Sequence, residues 1–258
     1  SMYDAYLSFA EELADASGAE VLKYFRRPLD VESKADTSPV TIADRQSEKA
    51  MRDLIEKRFP SHGIVGEEFG KKDENAEFVW VLDPIDGTKS FITGSPLFGT
   101  LIALLHNGEP VVGVINQPYI RERWTGAKGE PSNFNGCEIH TRKCENLKKS
   151  AVFSTGGRLM FKNPDDYRRF ETLAKPAAVT RFSADCYAYG LLAMGCADIV
   201  CEAGMKLYDY AALIPVVTGA GGVMTDWNGK ALGTGSDGHV LALGDARLLD
   251  VALKALNS

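Results

Sequence analysis

Histidine is scarce in this chain: four in 258 residues, His62, His106, His140 and His239, none in a context that marks a catalytic base. Chemistry that depends on a histidine base is not required here. Five cysteines (Cys137, Cys144, Cys186, Cys196, Cys201) form no Cys-x-x-Cys pair and no zinc-like spacing with the histidines. They read as reduced, mostly buried thiols of a reducing compartment. Positive charge is in deficit: 29 Lys and Arg against 35 Asp and Glu give a formal net charge of −6. That balance argues against a nucleic-acid or membrane-surface binder. No apolar run reaches the ~20 residues that span a bilayer. The start lacks the basic-then-apolar order of a signal peptide, and Ser1 ahead of Met2 reads as a remnant of expression, with any natural targeting segment cut away.

What is present is ordinary for a soluble globular protein, 45% hydrophobic and 25% charged. The length allows a substantial core, read as one domain over 1–258 with two lobes, roughly 1–145 and 146–258. The apolar periodicity predicts a helix from Asp4 to about Phe25 and a second from Thr41 to near Phe59. Between them, 29–40 is polar and turn-rich. Ile64–Val65 reads as a short strand. Two strands, Phe98–Leu105 and Val111–Ile115, flank a hairpin at His106–Glu109, and 121–149 holds short strands and turns. From 151 strands and helices alternate: strand 151–154, helix 164–174, strand 178–182, helix 186–194, strand 197–202, helix 208–219, strands 222–225 and 239–243, helix 245–256. This succession predicts a layered α/β sandwich with an antiparallel-looking first half.

The most informative run is 79–92. Phe78–Leu82 reads as a buried strand that stops at Asp83 and Asp86, with Pro84 and Ile85 between them and Gly87 and Thr88 after. Two acids delivered to one turn are unfavourable unless a cation sits between them, and hard oxygen ligands favour Mg²⁺. The Ile85 carbonyl can add a neutral ligand, and Gly87 lets the chain approach a ligand closely. The plain alternative is an Asx turn that caps a helix. Glu67 and Glu68 follow Gly66 and are readable as a solvated loop. Asp209 and Asp44 are each readable as helix caps.

Together these blocks are more specific than any alone. Gly66-Glu67-Glu68, Asp83 to Thr88, and Tyr208-Asp209-Tyr210-Ala211-Ala212 resemble, in order and spacing, the motifs of the inositol-monophosphatase family. Ser38 to Asp44 and Gly219 to Gly222 also look like family segments, so the resemblance spans nearly the whole chain. It implies an αβαβα five-layer sandwich and a Mg²⁺-dependent phosphomonoesterase with two or three ions per site. By that resemblance Glu67, Asp83 and the Ile85 carbonyl hold one metal, and Asp83, Asp86 and Asp209 the second. Glu67 also faces a third. Thr88, supported by Asp44, acts with Glu67 on the attacking water. A homodimer is implied as well.

The chain departs from the inositol-specific pattern at Lys89-Ser90, at Tyr208 and at Ser183 to Tyr189. These variations look like the histidinol-phosphate phosphatase branch of plants and some bacteria. Such a substrate needs carboxylates for its amine away from the metals. Asp185 and Glu202 fall at the family's substrate-contacting positions, beside Asp86, Gly87, Thr88 and Asp209. The simpler alternatives are that Asp185 caps the helix at 186 and Glu202 a turn at Gly204. Inositol 1-phosphate or a broad sugar phosphate is the rival substrate, and a non-catalytic metal- and phosphate-binding protein the rival class. The expected compartment is the plastid stroma for a plant source and the cytoplasm otherwise, with no nucleic acid or membrane as partner.

Overall fold

The computed structural model describes residues 2–27, 38–157 and 160–258, so residues 29–37 of the expected loop lie outside the described residues. Helix α1 (Asp4–Val21) buries the expected stripe, including Phe9, Leu13, Ser17 and Val21. It ends four residues early: Lys23 and Tyr24 donate to carbonyls three residues back, which tightens the last turn. Helix α2 (Pro39–Arg58) starts earlier than expected, because Ser38 Oγ accepts the Thr41 amide and Pro39 fills the first turn, where no N–H is needed.

The first sheet has the order β2-β1-β3-β4-β5-β6-β7-β8. Its strands are β1 (Gly63–Gly66), β2 (Gly70–Lys72), β3 (Phe78–Asp86), β4 (Gly99–His106), β5 (Glu109–Gln117), β6 (Glu122–Ala127), β7 (Asn133–Phe134) and β8 (Cys137–Glu138). Only β1 and β3 run parallel; the other pairs are antiparallel. Asn107 and Gly108 both have positive φ, 51° and 84°, as the tight turn between β4 and β5 demands. Alternate residues face opposite ways. Trp80, Leu82, Ile102 and Leu104 pack with Phe9, Leu13, Met51 and Ile55 of α1 and α2. Val79, Val81, Leu101 and Trp124 pack instead on a central helical layer.

That layer is α5 (Cys186–Ala193), α6 (Leu207–Tyr210) and α7 (Leu213–Gly219). Beyond it lies the second sheet, β10-β9-β11-β13-β12, built from β9 (Ala151–Phe153), β10 (Val179–Arg181), β11 (Ile199–Glu202), β12 (Val223–Thr225) and β13 (Val240–Leu243). Its outer face is covered by α4 (Pro164–Ala174) and α8 (Leu249–Leu256), through Phe170, Leu173 and Ala252. The five layers are those expected. A short α3 (Thr88–Ile92) joins β3 to β4.

Two glycines let the central layer approach the first sheet. A Cβ on Gly113 would lie 2.0 Å from the Ala212 carbonyl oxygen, and one on Gly126 would lie 2.4 Å from that of Pro215. Three expectations are corrected. The helix over 208–219 is two helices, because Pro215 has no N–H for the Ala211 carbonyl and its ring crowds that turn. Strand β3 does not stop before its acids but runs through them. The cysteines are all free, yet only Cys186 and Cys201 are buried: Cys137 lies in the edge strand β8 and Cys196 after α5, both exposed.

One buried titratable group ties α2 to β3. Trp80 Nε1 donates to His62 Nδ1 at 3.0 Å, and the imidazole stacks on Phe59 at 4.5 Å between ring centroids. Burial lowers the His62 pKa, against the Glu77 charge that raises it. The unfolded chain then takes up a proton near 6.5 before the folded one does, so stability is full above that pH and falls as pH drops through it. Urea unfolding between pH 7 and 5 should show a steeper loss for the wild type than for His62→Gln; equal slopes would contradict the assignment.

Candidate active site

The expected acids meet where β1 and β3 end side by side. Gly66 pairs with Leu82, so Glu67 emerges next to Asp83. Its backbone is tied there, the Glu67 amide donating to the Leu82 carbonyl at 3.3 Å. Within β3 the register slips: Asp83 faces Leu101, but Asp86 faces Gly99. One extra residue therefore bulges from β3, at Pro84, which has no amide to give the ladder. The Pro84 carbonyl accepts the Thr100 hydroxyl at 2.7 Å, and Thr100 is joined through Ser17 to Ser47 by buried hydroxyl bonds of 2.9 and 2.6 Å. The bulge is thus braced by α1, α2 and β4 together. The Ile85 side chain is buried with Phe25, Phe91 and Phe98. Gly87, at φ 86°, turns the chain into α3, whose first residue is Thr88.

Asp209 comes from α6. One carboxylate oxygen of each of Asp83, Asp86 and Asp209 lies within 4.8 Å of the others. The helix-capping alternatives are partly realised. Asp209 Oδ2 accepts the Lys206 amide at 2.8 Å, and Asp86 Oδ2 accepts the Cys186 amide at 2.9 Å, at the start of α5. Asp83 Oδ1, by contrast, is buried without a hydrogen-bond partner among the described residues, as is Asp44 Oδ1.

Burial raises the proton affinity of the acids of the cluster. Asp83 and Asp86 are held well above the ordinary carboxylate range, first by burial and then by neighbouring charges, Asp86 acting on Asp83 and Asp209 on Asp86. Burial also raises Glu67 and Asp209. Asp44 is pushed up to about 8 by burial and by Glu68, Glu67 and Glu48. A set of converging oxygen donors with one buried oxygen left unpartnered fits a hard divalent cation such as Mg²⁺, which would relieve both the desolvation and the repulsion.

Two cavities lie beside this cluster. An inner one of about 180 Å³ is lined by Asp86, Asp185, Tyr189, Glu202 and Asp209. An outer one of about 970 Å³ runs past Thr88, Lys89, Ser90, Lys162, Asp185 and Lys206. Asp185 borders both. The groove of about 660 Å³ along α1 and β5 is lined by none of the expected residues.

The simple alternatives do not account for the carboxylates of Asp185 and Glu202. Asp185 stands at the N-cap of α5 and its carbonyl accepts the Ala188 amide, but its side chain makes no capping bond; Oδ2 accepts the Ser90 hydroxyl at 3.3 Å. Glu202, 2% exposed, accepts the Thr155 amide at 3.0 Å and the Thr155 hydroxyl on Oε2, and the Tyr189 hydroxyl at 2.7 Å on Oε1. Burial pushes it up to about 7 against those donors. Sequence reasoning missed Thr155 and Tyr189, which mark nothing until β9 and α5 meet β11. It also missed Glu48, a buried acid on the helix face read as apolar.

Asp185 has φ 47° and ψ −136°, a backbone shape that suits glycine and is strained for any residue with a Cβ. Replacing it separates charge from strain. Asp185→Gly should be more resistant to urea than Asp185→Ala by about 1 kcal/mol, since both lose the carboxylate and only glycine relaxes the turn. Equal midpoints would show that no strain is held there.

Comparison with known proteins agrees with this architecture. The sequence profile of the inositol monophosphatase family matches residues 2–257. The bifunctional phosphatase IMPL2, chloroplastic, of Arabidopsis thaliana is 45% identical over 98% of this chain and 75% of that protein. The histidinol-phosphatase of Chlorobaculum parvum is 38% identical over 87% of this chain and 86% of its own length. An inositol monophosphatase structure from Zymomonas mobilis superposes with a TM-score of 0.94 at 44% identity, covering both chains fully. With the layered fold, the acid cluster at the end of β3 and a family match along nearly its whole length, this chain belongs to the inositol monophosphatase family of phosphatases.

Proposed function

We propose that this protein is a Mg²⁺-dependent phosphomonoesterase that hydrolyses histidinol phosphate to histidinol and phosphate. The observation that carries the reading is the convergence of Asp83, Asp86 and Asp209, one of whose oxygens, Asp83 Oδ1, is buried without a partner. In this reading Glu67, Asp83 and the Ile85 carbonyl hold one ion and Asp83, Asp86 and Asp209 another, with Glu67 also toward a third. Bound there, the cations supply positive charge to the phosphoryl oxygens and acidify water. The chain's own part is positioning. Thr88, at the start of α3 and supported by Asp44, acts with Glu67 to orient and deprotonate the attacking water. The amides after Gly87 face the phosphate.

The substrate reading rests on Asp185 and Glu202. A phosphate against Gly87 and Thr88 would place a neighbouring ammonium at Asp185, which borders both cavities, and the imidazole in the outer one. The likeness to histidinol-phosphatases supports this choice. Inositol 1-phosphate is the second reading, supported by the likeness to the Zymomonas mobilis protein, whose polyol would use the same acids as hydroxyl acceptors. A purely binding role gives no reason to keep Glu67, Thr88 and Asp44 together with the cluster. We further read the chain as one domain of two lobes, 1–145 and 146–258, working as a homodimer.

Phosphate release with Mg²⁺, measured side by side on histidinol phosphate and inositol 1-phosphate, tests the reading. Preference for the inositol ester would sink the choice of substrate, and no release from either would leave the binding role. Asp83→Asn should lose at least about 100-fold in turnover while folding normally, since a direct ligand matters more than an outer one. Asp185→Asn should raise KM for histidinol phosphate about tenfold through one lost charge-assisted hydrogen bond. It should leave an aryl phosphate nearly unchanged; equal effects on both esters would remove Asp185 from amine recognition.

A further inference from the structure

Glu48 is buried outright in α2, yet its carboxylate does not face the acid cluster as a ligand. Instead it collects donors from the turn that carries Glu67. Oε1 accepts the Glu68 amide at 2.9 Å, and Oε2 accepts the Phe69 amide at 2.8 Å and Arg52 Nε at 2.9 Å. Arg52 closes the grip from the other side, its guanidinium donating to the Gly70 carbonyl. Strand β1 rides directly on this carboxylate: a Cβ on Gly66 would lie 2.4 Å from Glu48 Oε2. Glu67 is thereby fixed on both sides, by its own amide on Leu82 and by the next amide on Glu48.

We propose that Glu48 is a positioning residue, which sets the Glu67 carboxyl beside Asp83 for the divalent cation by clamping the 66–70 turn to α2. The proposal rests on the metal reading above. Three donors and no acceptor surround the carboxylate, so glutamine, with one oxygen and an NH₂ group, cannot reproduce the clamp. Nor is stability a sufficient reason for the pair. A buried ion pair is often no more stabilising than packed apolar residues of the same volume. Its distinguishing property is directional: it fixes where two successive amides sit.

The test is calorimetric titration of Mg²⁺ into the intact protein, with phosphate release against Mg²⁺ concentration as a second readout. Glu48→Gln should weaken Mg²⁺ binding about 10- to 100-fold, the range for groups that orient a metal ligand. Excess Mg²⁺ should restore most of the turnover, so the activation constant moves more than kcat. Arg52→Gln, which loosens the clamp without touching the carboxylate, should shift Mg²⁺ affinity in the same direction by less. It also serves if Glu48→Gln folds poorly. Lys49→Ala, on the exposed side of α2, should change neither. A lowered melting temperature with unchanged Mg²⁺ affinity in both clamp variants would overturn the proposal and leave Glu48 merely structural. No Mg²⁺ binding by the wild type would instead overturn the metal reading itself.

Discussion

Mutual repulsion among carboxyls crowded around the buried Asp83 is the constraint on which this structure turns. Glu67, Asp83, Asp86 and Asp209 arrive from β1, β3 and α6, and burial alone raises the proton affinity of each before their charges act on one another. No chain gathers such groups for stability. The surrounding framework resists their separation. The Pro84 bulge is braced by the Thr100, Ser17 and Ser47 hydroxyls, Asp86 is pinned to the start of α5, and Asp209 to the Lys206 amide.

Packing far from the acids delivers them. Asp209 reaches the end of β3 because the chain from α6 into α7 lies close on the first sheet, and that closeness requires the bare backbones of Gly113 and Gly126. Pro215 sharpens the same region by dividing α6 from α7. The central helical layer therefore serves two sheets: it fills the core between them and brings acids from both halves of the chain to one cavity edge. Asp185 is the half-buried counterpart of this arrangement, held in a glycine-like turn that borders both cavities.

Much of this was legible in the sequence, for particular reasons. Short apolar runs gave β3, β4 and β5, and the Asn107-Gly108 pair gave the hairpin between β4 and β5. The motif blocks drew Glu67, Asp83, Asp86 and Asp209 into one expectation although they are scattered over the chain. Some signals were there and went unused: Ser38-Pro39 marks the start of α2, and Pro215 forbids an unbroken helix over 208–219. Others were not local at all. Glu48 acts on amides twenty residues away, and Thr155 and Tyr189 meet Glu202 only once β9, α5 and β11 pack. The backbone strain at Asp185 has no sequence signature, because aspartate is common in turns of every shape.

If the cluster is kept for a cation, its acids should burden the metal-free fold and strengthen the metal-bound one. Thermal melting of wild type and Asp83→Asn, each in chelator and in Mg²⁺, tests this most directly. The account predicts that Asp83→Asn melts above the wild type in chelator, where a buried unpartnered carboxyl is gone, and below it in Mg²⁺, where the ligand is missed. A wild type that is the more stable in chelator, or two proteins that respond equally to Mg²⁺, would contradict it.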